Sequence, residues 1–270
     1  LLKVFINKKL FVVSFGILND KIRLIFKSKY LKKFMKLLIL ASGKGKRLKN
    51  KTKFNPKCLV KVKGKPIIEH MIEKFNIFKE VIIVGGYKCH MLKKYESKNC
   101  KVYFNKDYSK TNMVHSLFSA KKKIRTDIIV SYSDIIYSKK ILEKMKKNNS
   151  THIPINKNWF KFWKKRMKIN EIYNDAENLE ISKKKIKSIG NKIKDKMPKF
   201  QFMGLVRINY NDYIKLKNFY LKLKNYNIDM TSFLNLAIKY KILNLRYFIT
   251  SEFWVEIDSL KDLRAVSKII

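Results

Sequence analysis

Acidic residues are few in this sequence of 270: 20 Asp and Glu stand against 63 Lys and Arg, a formal net charge of +43. Glycine and proline are scarce as well, at 8 and 4, and there are three cysteines. Cys58, Cys89 and Cys100 are odd in number and widely spaced, which excludes an even disulfide framework and a C-x-x-C pair and fits a reducing, cytoplasmic setting. The four histidines, His70, His90, His115 and His152, lack the spacing of zinc ligands. No apolar run approaches the roughly 20 residues that a membrane-spanning helix needs. No internal repeat is visible.

Hydrophobic residues make up 46% of the chain, enough to build a sizeable core. The positive charge raises nucleic acid as a partner, because lysines that neutralise phosphates drive such binding. These lysines form no basic arm. They are spread through helices, strand ends and turns, with no RNA-recognition, zinc-finger or helix-turn-helix signature. A compositional bias that puts Lys at solvated positions explains them, and a basic nucleic-acid-binding protein stands as the alternative of another class.

Residues 1–34 differ from the rest. They hold the apolar run Leu10–Leu18 between Lys-rich flanks and lack a small-residue cleavage site. Met35 precedes the first clear strand, so residues 1–34 are expected to be a dispensable extension or a weak membrane-surface anchor. From Met35 strands and helices alternate. Lys36–Ala41, Val81–Val84, Val102–Phe104 and Asp127–Tyr132 read as strands. Ile67–Phe75, Met113–Lys121 and Ile141–Lys147 have helical spacing. That alternation predicts a mostly parallel sheet with ligands at the carboxyl ends of its strands. Residues 150–205 are less regular and are expected to form an inserted, strand-rich, acceptor-binding lobe of a domain spanning 35–270. Asn211–Leu223 and Thr231–Tyr240 read as helices, and Leu245–Ile249 and Phe253–Ile257 as late strands. Ser259 with Asp262 forms a capping box for a last helix.

The first strand runs into Leu40-Ala41-Ser42-Gly43-Lys44-Gly45-Lys46-Arg47-Leu48. Glycines let backbone N–H groups turn toward an anion, and the flanking cations add charge. A P-loop is excluded because no Ser or Thr follows a G-K pair in the required place, and a dinucleotide fingerprint because Leu48 replaces its third glycine. Asn55-Pro56-Lys57-Cys58-Leu59 and Gly64-Lys65-Pro66 follow. Asp134 ends a buried strand, and Asp258 ends Trp254-Val255-Glu256-Ile257-Asp258. One or two carboxylates with phosphate oxygens and waters are what Mg²⁺ takes.

The series L-A-x-G-x-G-x-R-L, P-K-x-L and G-K-P resembles that of the sugar-phosphate and alcohol-phosphate nucleotidyltransferases. Thr111-Asn112-Met113-Val114-His115-Ser116-Leu117, Trp159…Trp163…Arg166, Asn174-Asp175-Ala176-Glu177, Gln201–Leu205 and Asp229–Leu234 are similar, in order, to segments of the CTP:phosphocholine cytidylyltransferase-like family. The resemblance covers almost all of residues 36–270. It implies a Rossmann-like three-layer α/β/α fold with a mostly parallel mixed sheet and a small inserted lobe. It further implies Mg²⁺-dependent transfer of CMP from CTP to a small phosphorylated or phosphonate acceptor, phosphocholine-like or amino-bearing, for surface glycan or lipid decoration. By this resemblance Arg47, Lys57, Asp134 and Asp258 are catalytic, and the two aspartates bind the metal. Leu40, Ala41, Ser42, Gly43, Gly45, Lys46, Arg47 and Lys57 hold the triphosphate, while Gly85, Gly86, Asn112 and Ser116 line the cytidine pocket. Trp159, Arg166, Asp175, Glu177 and Trp254 receive the acceptor. Core packing explains the tryptophans, and Lys pairing the acids, as the plainer alternative. A sugar-1-phosphate nucleotidyltransferase is the enzymatic alternative, although it leaves the Trp/Asp-Ala-Glu segment without a role.

Overall fold

The structure is a computed structural model that describes residues 2–6, 9–13, 35–193 and 196–270. The chain divides into two compact units, Leu1–Phe34 and Met35–Ile270. In the first, β1 (Leu2–Ile6) and β2 (Lys9–Val13) form an antiparallel hairpin with Leu2 opposite Val13 and Ile6 opposite Lys9. The Leu10–Leu18 run lies partly outside the described residues. Among the described residues no helix is long and apolar enough to cross a membrane.

The second unit runs in order through β3 (Lys36–Ala41), β4 (Lys61–Val62), β5 (Lys65–Pro66), α1 (Ile67–Ile72), β6 (Glu80–Gly85), β7 (Cys100–Phe104), α2 (Met113–Ser119), β8 (Ile128–Tyr132), β9 (Ile135–Tyr137) and α3 (Lys139–Lys147). It continues with β10 (His152–Asn156), α4 (Trp159–Trp163), α5 (Ile169–Asp175), β11 (Glu177–Ser182), β12 (Lys185–Lys192), β13 (Gln201–Phe202), β14 (Leu205–Ile208), α6 (Tyr210–Leu223), α7 (Met230–Lys239), β15 (Arg246–Thr250), β16 (Trp254–Glu256) and α8 (Leu260–Val266).

β3 anchors the main sheet. Its alternation sends Leu38 and Leu40 into one core cluster and Leu37 and Ile39 into another on the opposite face. A strand apolar on both faces belongs inside a parallel sheet covered on both sides. β3 pairs in parallel with β6 and β8, and β6 with β7. Beyond β8 the sheet becomes mixed, through antiparallel β14 and β10 to β15, β12 and β11. Arg207 of β14 and Asp127 beside β8 pair at 2.8 Å and pin this junction, with the backbone N–H of Tyr210 donating to the same carboxylate.

Residues 150–205 are not set apart as a lobe. β10 lies inside the main sheet between β14 and β15, and two helices, α4 and α5, accompany the strands. Within this stretch the β11–β12 hairpin forms one edge of the main sheet. The physical reason is that β10 pairs with strands about 50 and 95 residues further on, and local periodicity carries no trace of such pairing.

A third, smaller core positions the site. Leu48, Val60, Val62, Ile136, Val255, Ile257 and Val266 pack together, binding the segments around Arg47 and Lys57 to β9, β16 and α8. The shortage of glycine is also visible in the backbone. All seven described non-glycine residues with positive φ are lysines, among them Lys183 and Lys184, which turn β11 into β12 at φ 45° and 64°. Asn-Gly normally fills such a turn. Lys there fits a compositional bias better than a dedicated anion site.

Candidate active site

β3, β6 and β8 end side by side, and their carboxyl ends carry the loop after Ala41, the Gly85-Gly86 turn and Asp134. The loop is tied down by side chains. Ser42 Oγ donates to the Val84 carbonyl at 3.1 Å and accepts from Ser116 Oγ at 3.0 Å. Ser116 Oγ accepts in turn from Asn105 Nδ2 at 3.0 Å. Asn105 is buried and its N–H bonds Gly85, so it joins three strand ends. Sequence reasoning missed Asn105. Two glycines have steric reasons. A Cβ on Gly45, at φ 69°, would lie 2.9 Å from the Lys57 side chain, and a Cβ on Gly86 would lie 2.5 Å from Tyr108 and 2.7 Å from the Ser42 carbonyl.

An open cleft of about 610 Å³ lies beside this loop, with Leu40, Ser42, Gly43, Asn112, Ser116 and Lys57 among its lining residues. Ala41 is buried, while Lys46 is exposed; these and Gly85, Gly86 and Gly45 are not in its wall. Gly85 and Gly86 act one layer behind it, by letting Cys89 and Tyr108 approach. Asn112 caps α2 by accepting from the Met113 N–H at 2.8 Å.

At the floor of the cleft the chain gathers its charges. β9 and β16 pair antiparallel, and the Ile257 N–H donates to the Asp134 carbonyl at 2.9 Å. This register brings Asp134 and Asp258 together although 124 residues separate them. Lys57 stands between them, 2.5 Å from Asp134 Oδ2 and hydrogen-bonded to Asp258 Oδ1. Arg47 reaches Asp258 at 2.9 Å. Burial opposes the charge of the Lys57 ammonium, but the two carboxylates outweigh it and hold the group above the ordinary lysine range. Burial likewise pushes the Asp258 carboxyl up, and Lys57 and Arg47 outweigh that to leave it below the ordinary range.

Glu256 is a third member that sequence reasoning missed. One carboxylate oxygen of each of Asp134, Glu256 and Asp258 lies within 4.8 Å of the other two. The signal was present in Trp254-Val255-Glu256-Ile257-Asp258, where period-two alternation puts Trp254, Glu256 and Asp258 on one face. Burial, reinforced by Asp258 and Asp134, holds the Glu256 carboxyl well above its ordinary range. Three converging carboxylates fit a divalent cation, which takes oxygen ligands, and the buried Asp134 Oδ1 has no hydrogen-bond partner among the described residues.

Behind the cluster, Arg166 and Trp159 depart from their expected roles. Arg166 is 4% exposed and pairs with Asp262 at 2.9 Å and Glu256 at 3.6 Å while covering the Trp163 ring at 4.6 Å. Its charge is committed to holding carboxylates in place, so it is not the acceptor's phosphate clamp. Trp159 is buried, donates Nε1 to the Pro198 carbonyl at 3.1 Å and meets Trp163 edge-on at 5.2 Å. It is core, one layer away from the cavity that Trp163 and Trp254 line. Asp175 and Glu177 do line that cavity, which opens beside the carboxylate cluster. Asp262 doubles its capping role, accepting from the N–H groups of Asp258 and Ser259 at 3.0 and 2.8 Å.

Residues 37–155 match the family described as MobA-like NTP transferase domain. The chain is 36% identical over 251 residues to CTP:phosphoglutamine cytidylyltransferase from Campylobacter jejuni, covering 85% of this chain and 98% of that protein. Among solved structures, an inositol-1-phosphate CTP transferase from T. maritima superposes with a TM-score of 0.69 at 18% identity, covering 87% of this chain and 96% of its own. A CTP:phosphocholine cytidylyltransferase from Streptococcus pneumoniae superposes at 0.66 and 22% identity, covering 87% and 99%. At those identities the structures speak for the fold. Nucleotidyltransferases generally use a divalent metal, and among the described residues the carboxylate trio could hold one.

Proposed function

This chain belongs to the nucleotidyltransferase superfamily, in the branch that includes the CTP:phosphoglutamine and choline-phosphate cytidylyltransferases, and from that premise we propose that it transfers CMP from CTP to a small phosphorylated or phosphonate acceptor. The observation that carries the reading is the Lys57 ammonium bracketed by Asp134 and Asp258 at the mouth of the phosphate loop, next to an acidic, tryptophan-walled cavity. The relative from Campylobacter jejuni shares 36% of its residues across nearly its whole length, which supports CTP as donor.

The reaction asks little covalent help from the protein. A phosphate or phosphonate acceptor is already ionised near neutral pH, so no general base is needed. One acceptor oxygen attacks the α-phosphorus, a new P–O bond forms, the bond to the β-phosphate oxygen breaks, and pyrophosphate leaves with the electron pair. What remains is to bring two anions together and to neutralise charge that develops between them. Lys57 and Arg47 supply fixed positive charge at that point, and Lys57 is kept ionised by the carboxylates around it. Ser42 and the glycines bring backbone N–H groups to the triphosphate. Ser116 and Asn112 line the cleft on the base side. Asp134, Glu256 and Asp258 would hold Mg²⁺, which when bound supplies Lewis-acid neutralisation of phosphate oxygens. Arg166 and Asp262 position Glu256 and Asp258. We place the reaction in the cytoplasm, in keeping with three free cysteines, and assign its product to the decoration of surface glycans or lipids.

The test is pyrophosphate release. The protein is incubated with Mg²⁺ and each nucleoside triphosphate in turn, against amino-alcohol phosphates, amino-acid phosphates, phosphonates and sugar 1-phosphates. Release with CTP and without sugar 1-phosphate is expected; release with UTP or dTTP and a sugar 1-phosphate overturns the reading.

A further inference from the structure

The cleft beside the phosphate loop and the acidic cavity next to it share two lining residues, Met113 and Tyr132. Lys57 and Asp134 stand on the cleft side, Glu256 and Asp258 on the cavity side. A nucleotide in the first space and an acceptor in the second therefore meet beside Tyr132.

The sheet puts Tyr132 at this junction. It ends β8 opposite Leu40 of β3, and its N–H donates to the Gly204 carbonyl at 3.0 Å. Its ring lies against Gly204, where a Cβ, at φ 71°, would come within 2.8 Å of Tyr132 Cδ2 and 3.0 Å of Cγ. Phe202 meets the ring edge-on at 6.0 Å. Gly204 and Phe202 both line the acidic cavity, so the ring, and not the backbone alone, forms part of that wall.

The hydroxyl of Tyr132 has no hydrogen-bond partner among the described residues. Tyr132 is half-buried, and its oxygen is not one of the unpaired polar atoms that the fold seals from solvent, as it seals the indole nitrogens of Trp163 and Trp254. An unpaired oxygen that is not sealed opens on free space, and the free space beside this ring is the two cavities. Burial, and after it Glu177, Asp134, Glu256 and Asp229, hold the phenol well above its ordinary range, so it is a donor and not a base.

A donor is what the acceptor's phosphate lacks on the cavity side. Five carboxylates line that cavity, Asp175, Glu177, Asp229, Glu256 and Asp258, and an ionised carboxylate only accepts. Its one cationic lining side chain, Arg47, is engaged by Asp258, and Arg166 is committed to Asp262 and Glu256.

We propose that Tyr132 is a catalytic residue whose hydroxyl donates a hydrogen bond to a non-attacking oxygen of the acceptor's phosphate or phosphonate group, and so aims the attacking oxygen at the α-phosphorus. The hydroxyl keeps its proton and takes no part in the P–O bonds made and broken. Its contribution is orientation, which is lost steeply when the reacting atoms are misplaced. The inference rests on the reading of the chain as a CTP-dependent transferase and holds whatever the remote end of the acceptor carries.

Tyr132→Phe removes the oxygen and leaves the ring on Gly204 and Phe202. With CTP, Mg²⁺ and phosphoethanolamine as the probe acceptor, kcat/KM for the acceptor is expected to fall about tenfold, or about 1.4 kcal/mol, with the KM for CTP unchanged. Inorganic phosphate, which carries only the group in question, is expected to compete with the acceptor less well by a similar factor. The Tm is expected to stay within about 2 °C of the parent, because the hydroxyl has no partner in the fold. Acceptor kcat/KM and phosphate inhibition both within about twofold of the parent overturn the inference. A rise in the KM for CTP as large as that for the acceptor also overturns it, by giving the hydroxyl to the nucleotide. If the parent turns over no CTP, calorimetric binding of phosphoethanolamine to the two proteins decides. Binding about tenfold weaker in Tyr132→Phe preserves the inference and sinks the transferase reading, and equal binding overturns the inference.

Discussion

Replacing Lys57 with Met keeps most of the stem and volume and removes the charge that bridges the site. Asp134, Glu256 and Asp258 then face one another within 4.8 Å with Arg47 as the one remaining directly paired cation on Asp258, at 2.9 Å. Stripping one partner from a buried pair costs about 3–5 kcal/mol. The carboxylate side chains of Asp134 and Asp258 are 18% and 12% exposed, and Arg47 remains, so the lower end, about 3 kcal/mol, applies. In a domain of this size that lowers Tm by roughly 6–12 °C. Freed of the ammonium, the three carboxylates bind a divalent cation more tightly, and at a hundredfold excess over its Kd the ion returns about 2.7 kcal/mol. Pyrophosphate release falls by about 10²–10³, the usual loss for one fixed electrostatic contact. Thermal melts with and without Mg²⁺, alongside turnover assays, read all three effects. A Tm unchanged with and without the ion, together with turnover within about threefold of the parent, would make Lys57 a solvated loop lysine and refute the argument.

Other outcomes follow from single contacts. Gly45→Ala forces a Cβ to 2.9 Å from Lys57 at a φ of 69°; a stability loss of about 1–2 kcal/mol in denaturant titration and a loss of turnover of about tenfold are expected. Burial pushes the His152 imidazole down to about 4 from its ordinary 6.5. Its contribution to stability is therefore full above pH 6.5 and drains away as pH falls toward 4, by about 3 kcal/mol. Denaturation midpoints measured over that range should show the decline in the parent and a flatter profile in His152→Gln. Trp159→Phe loses the bond to Pro198 and some core volume, so melts should show about 1–3 kcal/mol of destabilisation. Kinetics should show an unchanged acceptor KM, because the ring lies behind the cavity wall.

How much of this was legible in the sequence depended on the range of the interactions. β3 and its loop were legible because an apolar run followed by Gly-Lys-Gly-Lys-Arg is local. The capping box at Ser259 and Asp262 was legible for the same reason. Asp134 and Asp258 stood out as acids ending buried strands, and the β9–β16 register joins them. Glu256 is readable from the alternation that puts it on one face with Trp254 and Asp258. Asn105 had no local signal, since its partners Ser116 and Gly85 lie 11 and 20 residues away and it ends no motif. The resemblance assigns Trp159 and Arg166 to the acceptor, and a matched segment does not show which of its side chains the fold buries. β10 was hidden for a related reason, as its partners Arg207 and Arg246 are remote in sequence. The lysines carried little positional information, because they occupy even the left-handed turns that glycine usually takes.

The central claim is that the Lys57–Asp134–Asp258 cluster carries CMP transfer. Incubating the protein with Mg²⁺, an amino-bearing phosphate acceptor and CTP labelled at the α-phosphate tests it most directly. The account predicts label joined to the acceptor with the parent protein, and none with Asp134→Asn or Asp258→Asn although both still melt cooperatively. Undiminished transfer of label by either folded variant contradicts it.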